Sequence, residues 1–582
     1  MSVDNDTIAQ PIIDKMFDDN PSLLVEHHLT SYNEFFKTGM KRIMKEKNPI
    51  RIMKGQDPLT KAFKFRCNLY LGGKSGERVY YGKPVIYDED NPHFMFPNEA
   101  RLRNMTYGVT VHYDVEVDFF IEGEEPGAGA DESKEGADES KEGTAEQPTR
   151  TIILEKIYMG KFPIMLMSDL CVLRGLDSRV RFEMGECKND YGGYFIIDGK
   201  EKCIVPQEKF ADNMLYVRGS VNELYGAAAD IRCAAEDTSK PVRTFSVRMV
   251  LPSTTYSNGQ IVAVIPNVRK PIPLFILMRA LGVEPDKAII EHCLLDIEKN
   301  ESFLDLFIPS VHDANRFFTQ ELALKFIATF TKGKTIPHTL EILTDLLLPN
   351  IGEMNFKDKA FFVGYMVNEM LKVHMKIKKP TDRDSFRYKR VELPGTLLSG
   401  LFKEYYSLQL KNIFKKIDKE YYYKEGIYQE NFHNLIELNT IEFFSERIVD
   451  SGIRKAFKGN WGAEAHTKRL GVVQDLNRLS YNSALAQLRK VSLSIDASAK
   501  VTGPLLLHGS QWGMIDPVDT PDGGNVGLHK HMSMAVHITS GCPSTPIILW
   551  LRKHANMRML TEATAKYISS RCKVLVNGSW VG

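Results

Sequence analysis

The period at which apolar side chains recur changes along this chain. From Phe63 to Phe120, short aromatic and β-branched runs are broken by Gly-Gly and Lys-Pro, which is typical of strands. Helical spacing dominates from Pro271 to Val367 and again from Leu397 to Ile448. A second α+β region is predicted from Leu215, with strands around 244–250 and 260–265. This order of patterns predicts an α+β protein with mixed sheets and helices, and 582 residues are enough for several domains.

A helix is predicted close to the N-terminus. Asn20-Pro21 has the residue types of an N-cap and a first helical position. Apolar residues follow at helical spacing, which predicts that they line a core. They are Val25, Leu29, Tyr32, Phe36, Met40 and Ile43.

Alternating carboxylates mark one predicted strand. Alternation places Asp114, Glu116 and Asp118 on one face, where they resemble a two-metal carboxylate cluster. The residues between them are apolar and point the other way. A half-buried strand with a wet acidic face explains the same pattern and is favoured.

An acidic, low-complexity insert occupies residues 122–150, and GADESKE occurs twice within it. Glu122 to Thr149 holds ten acidic residues and two lysines, a net charge of −8, so the remainder of this +1 chain carries +9. Such composition predicts a disordered loop between two strands, the second of which starts at Thr151. A tolerated surface insertion is favoured over an acidic tether that competes with nucleic acid. The mildly basic remainder permits nucleic-acid contact without requiring it.

The eight cysteines are widely spaced and form no C-x-x-C pair. This spacing predicts small buried thiols in a reducing compartment, with neither a disulfide framework nor a structural zinc site. No run approaches 18 uncharged apolar residues, and the start MSVDNDTIAQ lacks the basic and apolar regions of a signal peptide. Both observations argue against secretion and membrane insertion.

A β-hairpin is predicted in the middle of the chain. Residues 194–197 and 200–205 have strand character and flank Asp198-Gly199, the dipeptide that a type I′ turn prefers. We expect a scaffold element without chemistry of its own.

The stretch from Gly459 to Met534 has the most distinctive pattern. A basic segment, His466 to Arg469, precedes a helical pattern. One predicted face is apolar and consists of Tyr481, Ala484, Leu485 and Leu488. A polar stripe beside it consists of Gln474, Arg478, Asn482 and Arg489. Aligned guanidinium and amide groups can hold a phosphodiester backbone, although spacing alone favours an ordinary solvated helix face.

A stiff loop follows, from Asp516 to Gly524. Two prolines fix φ and a glycine pair permits positive φ. Its three aspartates could bind a cation, but aspartate is also the usual residue of Pro-Gly turns, and the turn is favoured.

Several segments resemble the second-largest subunit of multisubunit DNA-directed RNA polymerases, the counterpart of bacterial β. GNWG at Gly459 to Gly462, the helical segment Gly471 to Lys490 and the loop Leu507 to Leu528 resemble its fork region. This family usually has Glu where Asp519 and Asp522 stand, and Cys is common at Asp516. Further matching segments are 96–107, 161–168, 191–213, 272–282 and 381–395.

The resemblance implies a domain order in which a lobe is inserted into a protrusion and a fork follows. The implied segments are 1–214 (protrusion, with the acidic insert), 215–380 (lobe), 381–458 (return to the protrusion), 459–540 (fork) and 541–582 (start of the external region). At the return, Arg383, Arg387, Lys389 and Arg390 could face nucleic acid or form an ion-pair network with Asp382, Asp384 and Glu392. Both readings stay open.

The resemblance also implies an activity for the assembled enzyme. It would polymerise ribonucleoside triphosphates on DNA with two Mg²⁺ ions that act as Lewis acids. The largest subunit would bind these ions mainly, and no NADFDGD string occurs here, so no catalytic or metal-binding residue is expected and the isolated chain should be inactive. Implied partners are the largest subunit, the rest of this subunit, other polymerase subunits, DNA and the RNA:DNA hybrid, but no membrane. The location would be the nucleus, or a cytoplasmic viral factory or virion.

Seven residues are predicted to lie near nucleic acid, as one wall of the active-centre cleft. They are Lys468, Arg469, Gln474, Arg478, Arg489, Lys490 and Lys500. Gln474 matches a family residue near the hybrid, and the others follow from the stripe and from loop positions.

The last residues predict a hairpin, with strand Lys573 to Val576, the turn Asn577-Gly578 and a short return through Trp580. A short, unprotected edge is expected to need more chain. We therefore expect half a subunit, from a split gene, an intein- or intron-interrupted gene, or a fragment. Two other classes stay open. One is a non-enzymatic nucleic-acid-binding or assembly protein, and the other is a stand-alone metal-dependent nucleotidyltransferase or nuclease that uses the alternating carboxylates.

Overall fold

The chain folds into two compact units, each with its own hydrophobic core. The computed structural model describes residues 5–56, 61–87, 92–121, 148–237, 240–252, 259–495 and 501–582. The first unit comprises Met1–Lys209 and Val391–Thr539, and the second comprises Phe210–Arg390 and Ser540–Gly582. Both units contain helices and sheets, so the chain is a multidomain α+β protein, as predicted.

Helices and strands follow one another irregularly along the described residues. The helices are α1 (Asn5–Asp19), α2 (Glu26–Glu34), α3 (Met40–Lys47), α4 (Pro97–Leu102), α5 (Ser178–Glu183), α6 (Leu274–Ala280), α7 (Asp286–Leu294), α8 (Ile308–Asp313), α9 (Gln320–Ala328), α10 (Ile336–Asp345), α11 (Phe356–His374), α12 (Pro394–Tyr423), α13 (Glu425–Glu430), α14 (Asn434–Glu437), α15 (Thr440–Phe444), α16 (Ile448–Phe457), α17 (Tyr481–Leu488), α18 (Thr545–His554) and α19 (Ala565–Ser569). The strands are β1 (Ile50–Gln56), β2 (Phe63–Leu71), β3 (Val79–Tyr81), β4 (Val85–Tyr87), β5 (Pro92–Phe94), β6 (Gly108–Ile121), β7 (Arg150–Pro163), β8 (Phe195–Ile197), β9 (Lys200–Ile204), β10 (Gln207–Phe210), β11 (Leu215–Arg218), β12 (Tyr225–Cys233), β13 (Arg243–Val250), β14 (Ile261–Val264), β15 (Ile272–Pro273), β16 (Lys389–Glu392), β17 (Val473–Asp475), β18 (Lys490–Leu493), β19 (His529–His531), β20 (Leu575–Val576) and β21 (Ser579–Trp580).

The long helix α12 organises the core of the first unit and packs against α2 and α16. The predicted N-terminal stripe is confirmed, since five of its six residues are buried and Leu29 packs against the core. However, α2 begins at Glu26 and not at Pro21. The amides of Leu23 and Val25 donate to the carbonyls of Asn20 and Ser22, which makes tight turns there instead of a helix.

Strand β6 is central in the largest sheet of this unit, where it pairs antiparallel with β2, β3 and β7. The wet acidic face predicted for it is wrong. Asp118 is only 3% exposed, and it accepts hydrogen bonds from the Thr151 hydroxyl at 2.7 Å and from Lys74 Nζ at 2.9 Å. Lys74 also reaches Glu116 at 3.2 Å.

Asp114, at the other end of this face, is also buried. It accepts from the Tyr80 hydroxyl at 2.8 Å and from the Lys156 amide at 2.9 Å. The face is closed because the neighbouring strands and Lys74 supply donors to all three carboxylates. Among the residues that the structure describes, no three His, Cys, Asp or Glu side chains are grouped to hold a metal ion.

The strands predicted on either side of the acidic insert are confirmed. β6 ends at Ile121 and β7 begins at Arg150, with Phe119 opposite Arg150. The insert itself, at 122–147, lies outside the described residues.

The second unit contains an antiparallel sheet of order β11-β12-β13-β14-β15 whose inner face packs on α11. Its strands confirm those predicted near 244–250 and 260–265. The predicted C-terminal hairpin is also present, with Asn577 and Gly578 at φ 48° and 80°. Its edge is not unprotected, however. Trp580 is 2% exposed and lies against Tyr365 and Phe361, with ring centroids 5.7 Å and 6.3 Å away.

All eight cysteines are free thiols. Burial is as predicted for five of them, and the prediction is wrong for Cys187, Cys542 and Cys572, which are exposed. In the described residues, every helix is too short or too polar to span a lipid bilayer.

Candidate nucleic-acid interface

A three-stranded sheet holds the start of the candidate interface. The predicted hairpin is confirmed, with Asp198 and Gly199 at φ 47° and 76° between β8 and β9. β17 adds to the free edge of β9, so that Val473 lies opposite Ile204. Gly199 has no room for a side chain, because a Cβ there would lie 2.6 Å from Asn104 Oδ1. The turn of the hairpin thus packs closely on Asn104, and the edge of β9 holds β17.

Helix α17 is shorter than the pattern suggested. Ser480 caps it, since the Ser480 hydroxyl accepts the Ser483 amide at 3.1 Å. Three residues of its predicted apolar face are confirmed, with Ala484 and Leu488 buried and Leu485 against the core, but the fourth, Tyr481, is 51% exposed. The single-helix stripe is wrong, because Gln474 lies in β17 and Arg478 lies in the loop before the helix.

Arg478 belongs to an ionic network on the surface of the first unit. Its Nε donates to Glu201 at 2.7 Å, and its guanidinium lies 4.9 Å from the centre of the Tyr194 ring. Arg101 bonds the same Glu201 at 2.9 Å and Glu186 at 2.8 Å. Burial alone would raise the pKa of Glu201, but the hydrogen bond and the charges of the two arginines outweigh burial and lower it. Arg478 is half-exposed, yet most of its charge is matched within the chain.

Arg489 is buried and only 7% exposed. Its guanidinium donates to the backbone carbonyls of Leu24 at 2.8 Å, Ser533 at 2.5 Å and Met534 at 3.3 Å. Burial lowers its pKa. This residue ties three distant segments together, and its donors are directed at protein carbonyls.

Two histidines lie beside it. His27 and His28 both direct Nε2 at the carbonyl of Leu488, at 3.1 Å and 2.6 Å. Burial, together with the nearby charge of Arg489, lowers the pKa of His28 to about 4. The C-terminal end of α17 is thus anchored by uncharged rings and one buried cation.

The remaining predicted residues differ in accessibility. Arg469 pairs with Glu392 at 2.8 Å, and Gln474 Nε2 donates to the Gly471 carbonyl at 3.0 Å. Lys490 is half-buried in β18, where burial lowers its pKa. Lys468 is exposed, and within the described part of the chain its ammonium forms no ion pair. Lys500 lies outside the described residues.

The loop from Asp516 to Gly524 precedes β19, and a buried ion pair holds β19 in place. β18 pairs in parallel with β10 and antiparallel with β19. Lys530 of β19 donates to Glu208 of β10 at 2.7 Å, and both side chains are almost fully buried. Asp516 accepts the amides of Val518 and Asp519, and these bonds lower its pKa, as expected of a turn residue.

Large apolar side chains are exposed on the same stretch, and the sequence pattern does not predict them. Trp512 is 92% exposed. The others that are two-thirds or more exposed are Leu470, Leu479, Leu506, Leu507 and Val518. Their exposure could have been recognised from the sequence, because they lie in Gly- and Pro-rich loops. Apolar residues do not recur there at helical or strand spacing, so they cannot form a packed face. Exposed apolar side chains of this size are typical of an interaction site when they lie together.

Comparisons with known proteins show which proteins this chain is similar to. A family model described as RNA polymerase beta subunit matches residues 23–442, and one described as RNA polymerase Rpb2, domain 3 matches residues 474–538. The chain is 30% identical to the DNA-directed RNA polymerase II subunit RPB2 of Schizosaccharomyces pombe, over 99% of this chain and 47% of that protein. It is 32% identical to the RPB2 subunit of Encephalitozoon cuniculi, over 96% of this chain and 46% of that protein. It is 28% identical to the RNA polymerase III subunit RPC2 of S. pombe, over 90% of this chain and 41% of that protein. The chain thus spans about half the length of these relatives.

Proposed function

Because this chain belongs to the RNA polymerase beta-subunit family, we propose that it acts as part of the second-largest subunit of a DNA-directed RNA polymerase. The observation that carries the proposal is the match of both units of the chain to this family, over residues 23–442 and 474–538. In this role the chain forms one wall of the active-centre cleft and holds template DNA and the RNA:DNA hybrid. Bond formation belongs to the assembled enzyme, and the isolated chain is inactive.

The interface geometry supports a backbone-gripping role with a revised set of residues. A template-general enzyme must bind phosphate and sugar without reading base edges. Lys468 is the best candidate, since it is exposed and forms no ion pair in the described residues. Arg469, Arg478 and Lys490 keep part of their surface exposed and act as secondary contacts. Arg489 supports the interface from within, because its donors are already bonded to carbonyls.

The exposed apolar residues support contact with other subunits. Trp512 and its neighbours lie on loops whose frame is fixed by the buried pair of Glu208 and Lys530. A rigid frame that presents uncovered apolar side chains suits a permanent protein partner. The partners are the largest subunit, the remaining part of this subunit and other polymerase subunits. In the assembled enzyme, Mg²⁺ would be held mainly by the largest subunit and would supply Lewis-acid chemistry for phosphoryl transfer. The named relatives are subunits of RNA polymerases II and III, which favours the nucleus as the location.

Affinity purification from the producing cells tests the assignment. The tagged chain should copurify with a largest subunit, and the complex should extend RNA on an RNA:DNA scaffold in Mg²⁺ while the purified chain alone does not. Copurification without any largest subunit or RNA synthesis would instead support the non-enzymatic assembly or nucleic-acid-binding alternative.

Crosslinking then tests the interface itself. A photoreactive amino acid at position 468 should label template or transcript in the stalled complex. The matched control places the same group at Lys411, which is exposed on α12. Equal labelling from both positions would remove Lys468 from the proposed wall.

A further inference from the structure

The outer face of the sheet in the second unit carries a cluster of arginines around a hollow. Strand register places Arg218, Ala228 and Arg248 side by side across β11, β12 and β13. The next row on the same face is Tyr216, Asp230 and Ser246. The rows between them, such as Val217, Ala229 and Val247, face inward and are buried in the core. Alternation along each strand therefore directs the charged residues away from the core.

The hollow arises from a difference in side-chain size. Small residues lie at its floor, among them Ser246 and Thr244, and long arginines surround them. Arg383 lines the hollow as well, with its guanidinium 4.9 Å from the Phe210 ring centre and 5.5 Å from that of Tyr216. The cavity volume is about 320 Å³, which is enough for a small polar group and its flanking atoms.

Positive charge exceeds negative charge in this pocket. Arg218 bonds Asp230 at 2.5 Å, and Arg232 bonds Asp212 at 3.1 Å. Two further arginines line the pocket, and in the described part of the chain neither has a carboxylate partner. They are Arg248, which contacts the Tyr225 ring at 5.1 Å, and Arg383.

Three polar atoms at this site are buried without a hydrogen-bond partner in the described residues. They are Arg218 Nε, Arg248 Nε and Asp230 Oδ1. These atoms lie beneath the surface, so a ligand in the hollow would meet the accessible parts of the arginines and not these three atoms. The ligand should be anionic, because the pocket has two cations in excess.

We propose that this pocket binds a phosphomonoester, namely the phosphoserine or phosphothreonine of an extended polypeptide partner. A phosphomonoester carries a charge of about −1.5 to −2 at neutral pH and three acceptor oxygens, which matches two unpaired guanidinium groups. A carboxylate would match only one of them. The proposal does not depend on the polymerase assignment.

A nucleic-acid strand fits the pocket less well. Single strands are held by aromatic faces on which bases stack, beside a row of cations that follows the backbone. Here Arg383 already covers the aromatic rings of Phe210 and Tyr216, and the unpaired charge is concentrated in one hollow. Arg383 was one of the residues left open between nucleic acid and an ion-pair network, and its ring contacts favour neither reading.

Peptide binding to the purified full-length chain tests the proposal. The probe is a fluorescein-labelled peptide, Gly-Ala-phosphoserine-Ala-Gly, compared with its unphosphorylated twin by fluorescence anisotropy. The phosphorylated peptide should bind at least tenfold more tightly. Arg248→Gln and Arg383→Gln should each weaken its binding about tenfold or more, and Arg383 is an exposed loop residue whose replacement leaves the fold intact.

A matched control separates this pocket from general positive charge. Arg243→Gln removes one arginine from β13 at an exposed position outside the pocket lining, and it should leave peptide affinity unchanged. Equal losses for Arg243→Gln and Arg248→Gln would overturn the proposal. It would also be overturned if inorganic phosphate competed but the two peptides bound equally. A third contrary result is a single-stranded DNA dodecamer without terminal phosphate that binds more tightly than the phosphopeptide and loses affinity in Arg248→Gln and Arg383→Gln.

Discussion

Two charged strand faces in this chain have similar sequence patterns and opposite surroundings. On β6 of the first unit, Asp114, Glu116 and Asp118 alternate with apolar residues, and neighbouring side chains and amides cover every carboxylate. On β11 to β13 of the second unit, arginines alternate with apolar residues in the same way. There Arg248 and Arg383 find no carboxylate in the described residues, and a hollow lies open before them.

The difference shows that the adjacent strands decide what a charged face can do. Where the adjacent strands supply opposite charge, the charged groups are neutralised within the protein and contribute to stability; we call these closed groups. Where they supply too little opposite charge, the face keeps an excess of charge that a ligand can match; we call these open groups. Replacing a closed group should therefore lower the free energy of unfolding, and replacing an open group should alter ligand binding only.

Among the closed groups, the buried pair of Glu208 and Lys530 should have the largest effect on the free energy of unfolding. Lys530→Met removes the ammonium that donates to the buried Glu208 carboxylate, which should lower the free energy of unfolding by about 3–5 kcal/mol. Urea denaturation of the purified chain measures it. The control is the double variant Glu208→Leu/Lys530→Met, which removes both charges and should recover most of the loss. A single variant as stable as the wild type would place this pair in the open class.

Acid titration tests the closed class without removing a contact. Burial lowers the pKa of His28 to about 4 from an ordinary 6.5, so the folded state binds this proton less well than the unfolded state. The stability present above pH 6.5 should fall as the pH drops towards 4, by about 3 kcal/mol for this group.

Denaturation curves at pH 7 and pH 4.5 measure this change. His28→Gln, which retains an amide donor for the Leu488 carbonyl, should show a smaller drop between the two pH values than the wild type. His466→Asn is the matched control, because that histidine is exposed and lies outside the buried contacts of His28. An equal drop in all three proteins would mean that the pKa of His28 is the same in the folded and unfolded states.

The acidic face of β6 should show a smaller effect. Lys74→Met removes the ammonium that reaches Glu116 and Asp118, and we expect a loss of about 1–2 kcal/mol, because half of the lysine side chain is in water. Thermal unfolding measures it, and Lys64→Met, an exposed lysine on β2, is the control. A gain in stability, or metal binding by the variant, would reopen the metal-cluster interpretation of this face.

Periodicity was enough to predict the fold class and the elements that depend on local spacing. The N-terminal core stripe, the hairpin at Asp198-Gly199 and the apolar face of α17 all follow from spacing and turn chemistry. The start of α2 could not be predicted in the same way. Competing turns between Asn20 and Val25 satisfy the backbone there before the helix begins.

The local elements of the candidate interface were predictable in part, but its individual contacts were not. The helix and the turn-rich loop between Gly459 and Met534 follow from the sequence pattern, whereas the environment of each arginine depends on residues far away in the chain. Arg489 meets carbonyls at Leu24 and Ser533, and Arg478 meets Glu201. No local pattern contains those partners, so a single-helix stripe was inferred where the structure has a strand, a loop and a helix.

Lys468 should show the smallest change in stability and the clearest change in binding. Lys468→Ala should shift the free energy of unfolding by less than about 0.5 kcal/mol, because the side chain is exposed and forms no ion pair in the described residues. In the assembled enzyme, the affinity for an RNA:DNA scaffold falls as salt rises, with a slope set by the number of phosphate contacts. Loss of one contact should reduce the slope of log affinity against log salt concentration by about 1. Filter binding at several salt concentrations measures that slope, with Lys411→Ala as the control of equal charge. A destabilised Lys468→Ala, or a slope identical to the control, would move Lys468 to the closed class and leave the wall to Arg469, Arg478 and Lys490.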